Sequence, residues 1–181
     1  LKTQQLETLI VGGGFVALEK LSFLLKSSPN SKVIMVSPFF REQTQELANK
    51  FGIQMIVDEY QKVYLSNKSI VIATTDSVAV NIEVYKDCKE RNVLVNVADN
   101  TPYCDFYMGG IVTKGNVKIA ISTNGKSPTT AKRLRQFFED VLPDNIDDLV
   151  KNLNAYRKTI KGNFEEKVEK LNEFTKSLVE K

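Results

Sequence analysis

The residues Thr8-Leu9-Ile10-Val11 form a short apolar run that stops at three glycines, Gly12-Gly13-Gly14. Beyond them the apolar residues recur at helical spacing, as Val16, Ala17, Leu21, Leu24 and Leu25. The run fits a strand buried on both faces, and the recurrence fits an amphipathic helix. The alternation then repeats. Ser28-Pro29-Asn30 breaks the helix, Lys32-Val33-Ile34-Met35-Val36 reads as a second buried strand, Gln43 to Phe51 as a short helix, and Ile53 to Val57 as a third strand. Ser69-Ile70-Val71-Ile72-Ala73-Thr74 is the fourth strand, followed by a helix expected to carry Val78, Ile82 and Tyr85 on one face. Asp76 or Ser77 suits that helix's N-cap. Val93 to Val97 is the fifth strand. Five apolar strands alternating with helices predict a Rossmann-like α/β fold, a doubly wound parallel sheet.

After Pro102 the pattern changes. Tyr107 to Thr113 and Val117 to Ser122 read as two strands of a hairpin turned at Lys114-Gly115-Asn116. A polar loop, Thr123-Asn124-Gly125-Lys126-Ser127, then leads into a helix with Ser127 at its N-cap and Pro128 at its first position. Ala131, Leu134, Phe138 and Val141 make that helix's stripe. From Ile146 the chain is charged and helical. Leu149, Val150, Leu153, Tyr156 and Ile160 form one stripe, Gly162-Asn163 interrupts it, and Phe164, Val168, Leu171, Phe174 and Leu178 form another.

Composition narrows the chemistry. The chain has 181 residues, 42% hydrophobic and 26% charged, with a formal net charge of +3. That charge is too small to argue for a nucleic-acid or membrane surface, and no stretch approaches the ~20 apolar residues needed to span a bilayer. The two cysteines, Cys88 and Cys104, form no C-x-x-C pair, and with no signal-peptide pattern after Leu1 a reducing cytoplasm is expected. There is no histidine. Histidine-dependent triads and most zinc sites are thereby excluded, so proton transfer falls to Asp, Glu, Lys, Tyr or Cys.

The glycine run has the G-x-G-x-x-A form of a dinucleotide fingerprint. Gly12 permits the sharp turn, Gly14 lets a pyrophosphate approach the backbone, and Ala17 lets helix and strand pack closely, with the helix N-terminus facing the phosphates. A purely structural strand–turn–helix junction is the alternative. At the end of the second strand, where an Asp or Glu usually meets the adenosine ribose, this chain has Ser37-Pro38, and no Arg immediately follows Ser37. Thr74 and Thr75 fall at a strand's carboxyl end, where ligands collect in open parallel sheets.

Four motifs together, Gly-Gly-Gly-Phe-Val-Ala at 12–17, Val-Ile-Ala-Thr-Thr-Asp at 71–76, Asn-Val-Ala-Asp at 96–99 and Asn-Gly-Lys-Ser-Pro at 124–128, resemble the precorrin-2 dehydrogenase / sirohydrochlorin ferrochelatase family, the NAD-dependent module of sirohaem synthase. The resemblance covers about residues 7–143. It implies NAD+-dependent oxidation of precorrin-2 to sirohydrochlorin in sirohaem synthesis, and in some members insertion of ferrous iron. It puts the catalytic residue at Asp99. Cofactor contacts would fall on Gly12, Gly13, Gly14, Phe15 and Val16, on Ser37, Pro38 and Phe39, and on Thr74, Thr75 and Asp76. Substrate contacts would fall on Asn96, Asn124, Gly125, Lys126 and Ser127, the last a phosphorylation site in some members. It also implies a homodimer in which residues 113–143 form the dimerisation segment, between an NAD-binding domain over 1–112 and a C-terminal helical domain over 144–181. The family pattern is departed from at Glu19-Lys20, where many members carry Arg-Lys, and at Gly109-Gly110 after Met108.

The residues agree with this chemistry. Oxidising a reduced tetrapyrrole needs a hydride acceptor and a base for the accompanying proton. Asp99, just past the fifth strand, is the natural carboxylate, against the alternative of an Asx-turn before Pro102; Asp105 reads as a turn or cap residue. Lys126, Lys132, Arg133 and Arg135 near the Ser127 helix start suit the substrate's carboxylates, with ordinary solvated charge as the alternative. An NAD(H)-sensing module without catalysis is the competing function. A nucleic-acid arm made of the charged tail is a third, and a chain this short leaves precorrin-2 to be made by a separate enzyme.

Overall fold

In the computed structural model, which describes residues 1–176, the chain divides into two compact units. The first comprises Leu1–Gly109 and Ser122–Pro128, the second Gly110–Ile121 and the chain from Thr129 onward.

The first unit is the parallel sheet that the apolar runs predict. Its strands and helices follow in the order β1 (Glu7–Val11), α1 (Phe15–Ser27), β2 (Lys32–Ser37), α2 (Glu42–Lys50), β3 (Gln54–Val57), β4 (Ile70–Ala73), α3 (Val78–Glu90) and β5 (Leu94–Val97). In space the strands run β3-β2-β1-β4-β5, every pair parallel. The chain winds outward from β1 to β2 and β3, then returns to β1's other side with β4. The switch point therefore lies between β1 and β4, which is where open α/β sheets bind their ligands.

Alternate residues of each strand face opposite layers. Ile10, Met35 and Ile72 join Ala17, Leu21 and Leu25 of α1 on one face. Leu9, Val11, Val36, Val71 and Val95 meet Val84 and Cys88 of α3 on the other. Burying a side chain such as Leu9 or Ile10 contributes about 1.5–3 kcal/mol, so the glycine turn at the end of β1 is carried on a central strand whose last four residues are buried.

Two expectations for this unit need correction. The buried stripe of α3 is Asn81, Val84 and Cys88, while Val78 is 64% exposed and Ile82 and Tyr85 are half-buried. A polar residue takes the inner position because Asn81 closes the loop after β4. Its Nδ2 donates to the Thr75 carbonyl at 2.8 Å, and its Oδ1 accepts from the Thr75 N–H at 3.2 Å and hydroxyl at 2.8 Å. Ser77 is the N-cap, its hydroxyl accepting from the Val80 N–H. The hairpin strand, expected from Tyr107, begins at Gly110. The preceding residues are held by the first unit instead: Phe106 and Met108 pack on its core, and the Asp105 N–H donates to the Val95 carbonyl at 2.8 Å.

The second unit is an antiparallel hairpin with helices. Strands β6 (Gly110–Lys114) and β7 (Val117–Ile121) pair from Lys114↔Val117 outward, and α4 (Pro128–Val141), α5 (Ile146–Thr159) and α6 (Phe164–Thr175) follow. Its core is small: Val112, Ile121 and Ala131, with Ile119, Phe138 and Leu142. The Asp147 carboxylate accepts the Asn116 N–H at 2.7 Å and Nδ2 at 2.8 Å, fastening the hairpin turn to α5. On α4 the inward residues are Ala131 and Phe138, joined by Leu142 just past its end. Leu134 and Val141, expected to face inward too, are 40% and 57% exposed, and Phe137 beside them is 56% exposed. Of the next stripe only Ile160 is buried, with Leu149, Val150 and Leu153 half-buried. Asn163 and Glu166 form a capping box that starts α6, and Tyr156 meets Phe174 with ring centroids 4.8 Å apart. Leu178 lies outside the described residues.

Candidate functional site

The site is built at the carboxyl edge of the sheet, where β1, β2, β4 and β5 end side by side. Gly12 donates its N–H to the Val36 carbonyl at 2.8 Å and has φ +120°, a conformation open to glycine alone. A Cβ there would lie 2.5 Å from the Thr74 hydroxyl. That hydroxyl and the Thr74 N–H both donate to the Val11 carbonyl at 2.8 Å, which ties the β4 end to the β1 end.

Gly13 is needed for a different reason. A Cβ on it would collide with the Phe39 carbonyl and come within 2.7 Å of the Phe40 ring, because the chain after β2 folds back across the glycine turn. The Arg41 N–H donates to the Gly13 carbonyl at 3.0 Å and completes that crossing. Gly14 has no heavy atom within 4 Å of where a Cβ would stand. It is also the N-cap of α1 and offers no side-chain cap. The first N–H groups of α1 therefore open onto a cradle that no side chain fills at Gly14, the kind of helix N-terminus that receives anions.

Around this cradle the expected cofactor residues divide into framework and surface. Ser37 is buried and its hydroxyl donates to the Phe39 carbonyl at 2.7 Å; Thr74 is buried and bonded as above. The Thr75 hydroxyl is bonded to the Ser77 carbonyl and the Asn81 Oδ1. Phe15 and Phe39, each 69% exposed, and Pro38 and Asp76 stand at the surface, with Val16 half-buried. One residue absent from the expectation joins them. The Arg41 guanidinium lies 5.2 Å from the Phe15 ring centroid, within cation–π range. It follows Ser37 by four positions rather than one, so only the folding-back of the loop shows it.

Asp99 stands at the same edge. The Ala98 N–H donates to the Ala73 carbonyl at 2.9 Å, so the β5 end runs beside the β4 end, two strand spacings (about 10 Å) from β1. Asp99 is exposed, with φ +58°. Among the described residues no hydrogen bond or ion pair holds its carboxylate; the Asx-turn alternative is not formed. Its neighbour Asp105 is a framework residue, its carboxylate accepting the Val95 N–H at 3.1 Å and pairing with Lys89. Burial pushes the Asp105 carboxyl up, and Lys89 and the Val95 N–H outweigh this to hold it below the usual carboxylate range. Asn96 is buried and its Nδ2 donates to the Phe106 carbonyl at 2.8 Å.

The loop that carries Asn124, Gly125, Lys126 and Ser127 is brought to this edge within the first unit. A Cβ on Gly125 would lie 3.4 Å from the Thr101 side chain, two residues past Asp99. Thr123 closes the loop, its hydroxyl accepting the Ser127 N–H and donating to the Ser127 carbonyl, both at 3.1 Å. Asn124, Gly125 and Lys126 are exposed and Ser127 half-exposed. Of the basic residues on α4, Lys132 and Arg133 are exposed, while Arg135 forms an ion pair with Glu139 one turn on, at 2.6 Å. Among the described residues no group of three or more Cys, Asp or Glu side chains is gathered to hold a metal, and no helix is long and apolar enough to cross a membrane.

Comparison with known proteins gives a consistent picture. Residues 1–110 match a family described as putative NAD(P)-binding, and residues 114–140 match one described as sirohaem biosynthesis protein central. The siroheme synthase of Pseudoalteromonas translucida is 37% identical over 156 residues, covering 86% of this chain and 33% of that protein. The siroheme synthase of Hydrogenovibrio crunogenus is 36% identical over 171 residues, covering 90% of this chain and 34% of that protein. The chain thus spans about a third of the length of the curated relatives it matches. Among solved structures, one titled SirC, precorrin-2 dehydrogenase, superimposes with a TM-score of 0.78 over 96% of this chain and 86% of that one, at 21% identity. The fold is shared.

Proposed function

The chain belongs to the family described as putative NAD(P)-binding, and from that premise we propose that it is an NAD-dependent dehydrogenase that oxidises precorrin-2 to sirohydrochlorin in sirohaem synthesis. The observation that carries this reading is the shared edge. An open glycine cradle at the β1 end and an exposed, unpartnered carboxylate at the β5 end flank one switch point. The relatives' names, siroheme synthase and precorrin-2 dehydrogenase, supply the substrate class.

Within that reading Gly12 to Val16 and the start of α1 hold the pyrophosphate, and Ser37, Pro38 and Phe39 with Thr74, Thr75 and Asp76 line the rest of the dinucleotide's path. NAD+, when bound, supplies the hydride acceptor. Asp99 takes the proton that leaves with each hydride, so that precorrin-2 and NAD+ give sirohydrochlorin, NADH and a proton. An exposed carboxylate returns that proton to solvent readily. Asn124, Gly125, Lys126 and Ser127 face the substrate's anionic rim beside the Thr101 turn. The domain limits 1–112, 113–143 and 144–181, a homodimer joined through 113–143 and a cytoplasmic setting belong to the same proposal. The exposed Leu134, Phe137 and Val141 on α4 support the dimer. Ferrous iron insertion, which the resemblance implies only for some members, would use the same edge, with Asp99 relieving the pyrrole nitrogens of their protons.

Anaerobic incubation of the protein with precorrin-2 and NAD+ tests the reading by the product's absorption spectrum. Sirohydrochlorin formed in step with NADH is expected. NAD+ binding without turnover would instead establish the sensing module.

A further inference from the structure

We infer that Asn96 and Cys104 form a clamp that holds the Asp99 turn in its working conformation, so that both are positioning residues for the proposed oxidation. This inference rests on that reading. The turn itself needs support. Asp99 adopts φ +58°, a left-handed conformation that an aspartate accepts where local hydrogen bonds support it. Within the turn there is one backbone bond, from the Asn100 N–H to the Val97 carbonyl at 3.2 Å, and the Asp99 side chain adds none.

The missing restraint comes from below. The Cys104 Sγ lies 3.2 Å from the Val97 carbonyl and 3.4 Å from the Asn100 carbonyl, so a single S–H spans the residues on either side of the Ala98-Asp99 pair. Burial raises the Cys104 thiol above its ordinary range, which keeps it a donor at neutral pH. The sulfur is itself placed by Asn96, whose Nδ2 lies 3.4 Å from Sγ and 2.8 Å from the Phe106 carbonyl. Asn96 sits inside β5, paired with Ile72 of β4, so the clamp is anchored on the sheet and not on another loop. An amide nitrogen has two hydrogens, and here both are committed to the fold. Asn96 therefore acts through Asp99 and has no donor left for a substrate contact, a different role from the one its motif implies.

The test compares Cys104→Ala, Cys104→Ser and Asn96→Asp with the unmodified protein. Serine restores a hydroxyl donor, while Asn96→Asp keeps the shape and removes both amide hydrogens. We expect Cys104→Ala and Asn96→Asp to lower kcat for precorrin-2 oxidation about tenfold, with KM for precorrin-2 and Kd for NAD+ changed by less than about twofold. Cys104→Ser is expected to recover to within about threefold of the unmodified rate. Amide hydrogen exchange at Asn100 should quicken about fivefold or more in the two defective variants and not in Cys104→Ser. Unchanged kcat and unchanged exchange in Cys104→Ala would overturn the clamp, and so would a serine variant no better than the alanine one. Asp99→Asn run in parallel keeps the two ideas apart. If that variant turns over at the full rate, the catalytic reading fails, and the exchange comparison alone still decides whether the clamp exists.

Discussion

Replacing Gly14 with alanine separates folding from cofactor binding. At this N-cap the backbone has φ −81° and ψ −159°, extended values that any residue adopts, and the new methyl would meet nothing within 4 Å. Exchanging glycine for alanine at an N-cap costs about 0.5–1 kcal/mol. Reduced freedom of the unfolded chain returns about 0.4–1 kcal/mol. The two cancel to within about 0.5 kcal/mol, so the urea midpoint should barely move. Binding is another matter, because on the proposed placement the pyrophosphate would occupy the open space that the methyl enters. Displacing a pyrophosphate from one charge-assisted hydrogen bond costs about 1.5–3 kcal/mol, which is about a ten- to hundredfold rise in the Kd for NAD+. Gly12→Ala is the contrast. Its φ of +120° and its 2.5 Å approach to the Thr74 hydroxyl predict a loss of roughly 2–4 kcal/mol from strain and a disturbed hydrogen bond. Calorimetric titration with NAD+ beside urea unfolding reads both quantities. A Gly14→Ala protein that binds NAD+ as tightly as the original would refute the placement of the pyrophosphate over that residue.

Three further outcomes follow from the same geometry. Lys151, then the N–H and amide of Asn116, hold the Asp147 carboxyl down at about 2. A depressed carboxyl stabilises the fold above its ordinary value of about 3.9 and loses that contribution as pH falls toward about 2; Asp147→Asn should therefore flatten the acid limb of thermal stability in that window, and an unchanged limb would remove the pair from the account. Burial pushes the Cys88 thiol up to about 12, so a thiol reagent at pH about 8 should leave Cys88 unmodified in the folded protein and label it in denaturant; equal labelling in both states would contradict the packing of α3. Finally, the proposed homodimer through α4 predicts that the unmodified protein sediments as a dimer in analytical ultracentrifugation and that Phe137→Lys together with Val141→Lys sediments as a monomer of unchanged helix content; a monomeric unmodified protein would refute the dimer, and a dimeric variant would refute the α4 interface.

The sheet was legible because its strands are nearly unbroken apolar runs, a pattern that only burial on both faces explains. The edge residues were legible for the same reason: Gly12, Thr74 and Asp99 each stand where such a run stops. What the sequence did not disclose depends on contacts between distant segments. The G-x-G-x-x-A pattern leaves the residue at Gly13 open, yet Phe39 and Phe40 crossing over it leave no room for a side chain. Arg41 becomes a neighbour of Phe15 through that same crossing. The inner face of α3 was misassigned because hydrophobicity favoured Val78 over Asn81, whose amide is satisfied only once the Thr75 loop closes on it. Likewise Tyr107 to Gly109 carry strand-like residues, but Phe106 and Met108 are claimed by the first unit's core. Arg135 looked available to an anionic substrate until Glu139 appeared one helical turn away.

The proposed oxidation depends on one carboxylate, and Asp99→Asn loaded with NAD+ measures its contribution directly. The variant keeps the size of the side chain and removes only its basicity, and asparagine tolerates the left-handed backbone at that position. With precorrin-2 under anaerobic conditions it should bind NAD+ as the original does, yet form NADH at least about a hundredfold more slowly. NADH formed at the original rate by a protein with no carboxylate at residue 99 would contradict the account.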